Sequence, residues 1–240
     1  MTPAPTTAPM TAPLTAFGYC ERLSAAFWAE PLNAISNGAF ILAAILGLLL
    51  WRRAGGRDRA AALLIGLVFA IGIGSFLFHT MPTRWTLLAD VIPIQLFAFC
   101  CFGLALRRFL GLSPAASLVG TALFVVAAFG LSAALGPLLP AGMRGSAGYG
   151  AFALGLFGVA LALFLRGMAH EAAKLLLLAG LVFAVSLTLR SLDSVACRIV
   201  PFGLHWAWHL LNAIVLALLL RALIDQGPGR ARGNLRSGAS

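Results

Sequence analysis

From residue 33 onward the chain alternates between long apolar runs and short breaks rich in Arg, Gly and Pro. Seven runs, at 33–52, 60–80, 86–106, 115–135, 147–165, 172–190 and 203–223, are each close to the ~20 helical residues that cross a hydrocarbon core. Backbone groups in lipid must be satisfied within the segment, so the runs predict helices. With such short connections they predict an all-α integral membrane bundle of seven transmembrane helices. Residues 1–18 ("MTPAPTTAPMTAPLTAFG") and 225–240, which end in an Arg/Gly/Ser-rich stretch, break the pattern and read as disordered tails around a 19–224 domain. The opening stretch has no Lys or Arg and no apolar run, unlike a secretory leader.

Composition agrees: 61% of the 240 residues are apolar and 10% charged, where a soluble domain carries about a quarter charged. The net charge of +10 does not imply nucleic acid, because the cations sit at the ends of apolar runs, where orientation signals lie. One side holds Arg52, Arg53, Arg57, Arg59, Arg107, Arg108, Arg166, Lys174, Arg221, Arg230, Arg232 and Arg236. The other holds Arg22, Arg84, Arg144, Arg190 and Arg198. The positive-inside rule therefore predicts a cytoplasmic C-terminus and an outer N-terminus.

This orientation puts five polar side chains at one depth near the outer leaflet: Ser75 and His79 from the second run, Asp90 from the third, and His205 and His209 from the seventh. Alone, Ser75 would bond back to its own helix, and His79 would meet the interface. Asp90 is costlier, at about 2.5–3.5 kcal/mol for a carboxylate in a membrane helix. His205 and His209 are four residues apart, which stacks both on one helix face. Together they point to a zinc site with three imidazole ligands and an open fourth position. Asp90 is then the base toward the zinc water, and Ser75 an oxyanion donor. His170 falls in a loop on the opposite side and is excluded.

The blocks "YCERLSAAFWAEPLNAISN" (19–37), "GIGSFLFHTM" (72–81), "LADVIPI" (88–94), "LDSVAC" (192–197) and "HWAWHLLNA" (205–213) resemble, in order, those of the alkaline ceramidase family. The resemblance implies hydrolysis of the N-acyl bond of ceramide-like membrane lipids to a sphingoid base and a fatty acid. It implies zinc on His79, His205 and His209, with Asp90 and Ser75 as catalytic groups. It also implies a disulfide between Cys20 and Cys197, both on the outer side, where free thiols are the alternative. The family's calcium site is expected to be degraded here and calcium weak or absent. Gly18 and Leu23 stand where the family has Asp and Asn, leaving Glu21 and Glu30. Glu21 would then pair with Arg22 or a surface neighbour, and Glu30 would cap the first helix. These departures, with the composition, point to a bacterial relative in the inner membrane, its site facing the periplasm.

Arg190 and Asp193, at i and i+3, read as an ion pair, with support of the zinc ligands as the alternative role for Asp193. Cys100 and Cys101 read as packing residues. Rival functions are a receptor-like relative with a structural zinc site and a hydrolase of a different N-acyl lipid. A retinal protein would need a lysine in the last run, yet the chain's single lysine is Lys174. A transporter would need polar groups in both halves of the bundle.

Overall fold

The computed structural model describes residues 19–227, so most of the two expected tails lies outside the described residues. The chain forms α1 (Pro31–Ser36), α2 (Gly38–Arg53), α3 (Arg59–Thr80), α4 (Arg84–Arg108), α5 (Pro114–Leu135), α6 (Ala147–Leu165), α7 (His170–Ala196) and α8 (His205–Asp225). Two 3₁₀ turns, Gly136–Leu138 and Ala141–Ser146, join α5 to α6. With α1 and α2 forming one span, seven helices among the described residues are long and apolar enough to cross a membrane. The described residues form an all-helical integral membrane bundle. The expected spans match to within a few residues except the sixth, which runs on from 190 to Ala196; α8 ends at Asp225, two residues past the expected 223, and His170 opens α7 instead of lying in a loop.

Packing follows chain order. Each helix from α2 to α8 packs on the next, and α8 returns to α2, closing a ring. Apolar side chains cover the outside as well as the inside: α5 buries only Ser117 and Ala128, while its Leu118, Leu123 and Val126 are exposed. Water would penalise that surface; hydrocarbon does not.

Helix starts are capped by residues placed for it. Asp58 accepts from the Ala60 and Ala61 amides to start α3, and Thr83 forms a capping box with Thr86 to start α4. Asp58 also receives a two-pronged bond from Arg108 (2.7 and 2.8 Å), whose Nη1 reaches the Leu223 carbonyl at 2.9 Å. Trp51 Nε1 donates to the Asp58 carbonyl at 2.8 Å. This clamp ties α2, α3, α4 and α8 together at the end of the bundle away from the buried histidines.

At the other end, α3 and α4 nearly touch. A Cβ on Gly74 would overlap the Ala89 carbonyl, so only glycine allows this approach. Pro93 lacks the amide that would bond that carbonyl within α4. Ser75 and Asp90, the next residue on each helix, are thereby brought to one level.

Candidate metal centre and active site

His79 ends α3, and His205 and His209 open α8; all three are buried. One ligand atom from each lies within 4.8 Å of the others, close enough for a single ion to bridge. The ring centroids are 4.7–5.2 Å apart. His79 Nε2 and His205 Nδ1 are buried without a hydrogen-bond partner. Unpaired buried imidazole nitrogens converging on one point are the arrangement a metal satisfies, and three nitrogen donors suit a borderline metal such as zinc.

The outer nitrogens have partners. His79 Nδ1 lies 2.6 Å from Glu30 Oε2 and donates to it, which leaves Nε2 with a free lone pair. Glu30 is also held by the Asn33 amide at 2.9 Å and by the Arg22 guanidinium, and Arg22 Nη2 reaches the His79 carbonyl at 2.7 Å. Burial alone would push the Glu30 carboxyl up, but the His79 hydrogen bond, Asn33 and Arg22 outweigh it and hold the pKa below the usual value. His209 Nδ1 is hydrogen-bonded to Ser36 Oγ at 2.8 Å.

His205 is fixed through its backbone. Asp193, buried on α7, accepts from the amides of Leu204 (2.6 Å), His205 (3.0 Å) and Cys20 (3.3 Å). It thus holds the first turn of α8 by its unpaired N–H groups. Gly203, at φ +68°, makes the turn, and a Cβ there would overlap the Asp193 carboxylate.

Cys20 is bonded to Cys197, 177 residues away. The bond anchors Tyr19, whose ring stacks on His205 at 4.0 Å and approaches His79 at 5.2 Å. Burial, reinforced by Asp90 and Glu30 against Arg190, raises the Tyr19 phenol above its ordinary pKa. Asp90, Ser75, His205, His209, Tyr19 and Arg190 line one cavity of about 70 Å³, room for more than one water. The Ser75 hydroxyl is the polar neighbour of the Asp90 carboxylate.

The five residues expected together are therefore together, and His170 lies exposed at the far end. Three pairings differ from expectation. Arg22 pairs with Glu30, not Glu21. Glu21, not Glu30, serves the α1 N-terminus, accepting from Leu32 (2.6 Å) and Asn33 (2.9 Å). Arg190 leaves Asp193 and bonds Ser146 Oγ at 2.8 Å, because three backbone amides claim that carboxylate. Ser36, Asn33 and Tyr19 carried no assignment from sequence. Ser36 and Asn33 lie in the quoted 19–37 block, but its fold back onto the histidines has no periodic signature.

A seven-helix membrane bundle with a neighbouring Asp–Ser pair and three buried histidines that could hold a metal ion defines the class as a membrane-embedded protein with a candidate metal centre. The family model described as Ceramidase matches residues 13–225, and the chain belongs to that family. No curated protein matches the chain. Membership supports an enzyme that hydrolyses ceramide, a hydrolase of amide bonds with a lipid substrate.

Proposed function

We propose that residues 19–224 form a zinc-dependent intramembrane amidase that splits the N-acyl bond of ceramide-like lipids into a fatty acid and a sphingoid base. The observation that carries it is the arrangement of His79, His205 and His209. Two of the three have Nδ1 engaged by Glu30 or Ser36, and their ligand atoms converge beside Asp90 and Ser75. Zinc held by these histidines would supply a Lewis acid and lower the pKa of water to about 7.

The chain's own groups do the rest. Asp90 takes one proton from the attacking water and returns it to the departing amine nitrogen, so that the acid and amine leave with balanced charge. Ser75 donates its hydroxyl to the carbonyl oxygen as negative charge develops there. Glu30 orients His79 and strengthens its donor nitrogen. Tyr19, held by the disulfide, covers the histidines and limits water.

A lipid has somewhere to lie. A second cavity begins at the same Phe40, Ile94, Tyr149 and Trp208 and continues along Phe97, Val159 and Leu219, nearly all apolar. From Trp208 to Leu219 it follows about 16 Å of helix, at ~1.5 Å per residue. We assign it to the acyl chain.

The site end faces the outside, in a bacterium the periplasm. The excess of Lys and Arg at the opposite end supports this, as does a disulfide beside the site, since such bonds persist in oxidising compartments. Little is left to hold calcium, which is weak or absent in this reading: both Glu21 oxygens accept backbone amides, and Glu30 is bound by Arg22, Asn33 and His79.

Fatty-acid release from a ceramide by wild type and Asp90→Asn tests the reading. The variant should keep its metal and lose activity by about 10²–10⁴-fold, the usual contribution of general acid–base catalysis. Wild-type release matched by Asp90→Asn would remove Asp90 from the chemistry.

A further inference from the structure

Arg190 has no place in the mechanism above, yet it lines the same cavity as Asp90, Ser75, His205 and His209. It lies in the last two turns of α7, a membrane-spanning helix, and is only half-buried. A cation at such a position is costly and calls for a partner. No described ion pair includes Arg190, and the Asp90 carboxylate of the same cavity acts on it across space without a direct contact. Its one hydrogen bond to the described residues runs from Nη1 to Ser146 Oγ.

The guanidinium is nonetheless held firmly. It lies 5.3 Å from the ring centre of Tyr149 and 5.3 Å from that of Trp208. Both rings belong to the wall shared by the polar cavity and the apolar one. Two aromatic faces and one hydroxyl fix the plane of a group that has five N–H donors, most of them uncommitted. A fork presented this way suits a planar oxyanion, which it binds through two parallel bonds.

Position sets which part of a substrate it meets. The apolar cavity leads from Tyr149 and Trp208 toward the far end of the bundle and takes the acyl chain. Arg190 reaches the Ala141–Ser146 turn, at the end of the bundle away from the run of that cavity, which is the side left for the amine half. We propose that Arg190 is a specificity residue for an anionic group on the amine half. The enzyme accepts, and prefers over neutral amides, N-acyl lipids bearing a carboxylate or comparable oxyanion beside the scissile bond. This rests on the amidase reading and narrows its substrate class.

The test compares two amides that differ in one group, N-lauroylglycine and N-lauroylethanolamine, with the full-length metal-loaded protein. Wild type should cleave the glycine amide with about tenfold higher kcat/KM, the scale of a satisfied charged hydrogen bond. Arg190→Gln should abolish the preference, the glycine amide losing about tenfold more kcat/KM than the ethanolamine amide, chiefly through KM; Arg190→Lys should fall between. A wild-type enzyme that favours the neutral amide overturns the proposal, even if Arg190→Gln fails to fold. Equal losses on both amides in Arg190→Gln also overturn it and make the side chain a structural clamp. If neither amide nor a ceramide is cleaved, the amidase reading fails separately. Calorimetric titration then decides on Arg190: tighter wild-type binding of the glycine amide, lost in Arg190→Gln, supports it, and equal binding overturns it.

Discussion

Replacing Asp193 by Ala should damage the site without touching any metal ligand. The carboxylate accepts three backbone amides, and those of His205 and Cys20 are buried. Each buried amide left without a partner costs about 1–3 kcal/mol. Two of them, with the lost helix cap, give roughly 3–5 kcal/mol, because the apolar surroundings admit little replacement water. For a chain of this size that corresponds to a fall in Tm of roughly 6–20 °C. Thermal unfolding in detergent, followed by helical circular dichroism, reads it directly. Asp193→Asn keeps one acceptor oxygen and should lose less than half as much. The first turn of α8 carries His205 and His209, so metal content should fall in step. An Asp193→Ala protein that melts within 2 °C of wild type and retains its metal would refute the claim that this carboxylate organises the start of α8.

The clamp at the other end predicts a pH dependence. Burial pushes the Asp58 carboxyl up, but Arg108 and the Ala60 and Ala61 amides outweigh it, so its folded pKa lies below the ordinary 3.8. Its stabilisation is fully present above that value and lost as pH falls through the folded pKa. Melting curves below pH 4 should therefore drop more steeply for wild type than for Arg108→Gln, and parallel curves would contradict this. Gly74→Ala places a methyl against the Ala89 carbonyl and should cost about 1–3 kcal/mol as overpacking. It should lower kcat more than it raises KM, because it separates Ser75 from Asp90; unchanged turnover would show that their spacing does not matter.

The membrane fold was legible in the sequence because hydropathy alone dictates it: an uninterrupted apolar run has one satisfactory backbone solution in lipid. The histidine cluster was legible for a related reason. Helical spacing stacks His205 on His209, and equal depth brings His79 and Asp90 to their level. What lay hidden depends on the irregular segments. Glu30, 49 residues from His79, reaches it from a non-helical stretch before α1 with no periodicity to read. Arg190 and Asp193 have ion-pair spacing, yet the Leu204 and His205 amides at the start of α8, with the Cys20 amide, claim the carboxylate and release the arginine toward the cavity. Local spacing ranks neighbours on one helix and is blind to donors arriving from another.

The central claim is that His79, His205 and His209 hold a catalytic zinc ion. Metal content of the purified protein, measured with fatty-acid release from a ceramide for wild type and His205→Ala/His209→Ala, tests it most directly. The account predicts near-stoichiometric zinc and hydrolysis in wild type, with both lost in the variant. Hydrolysis by a protein free of zinc, or zinc and activity surviving the double substitution, would contradict it.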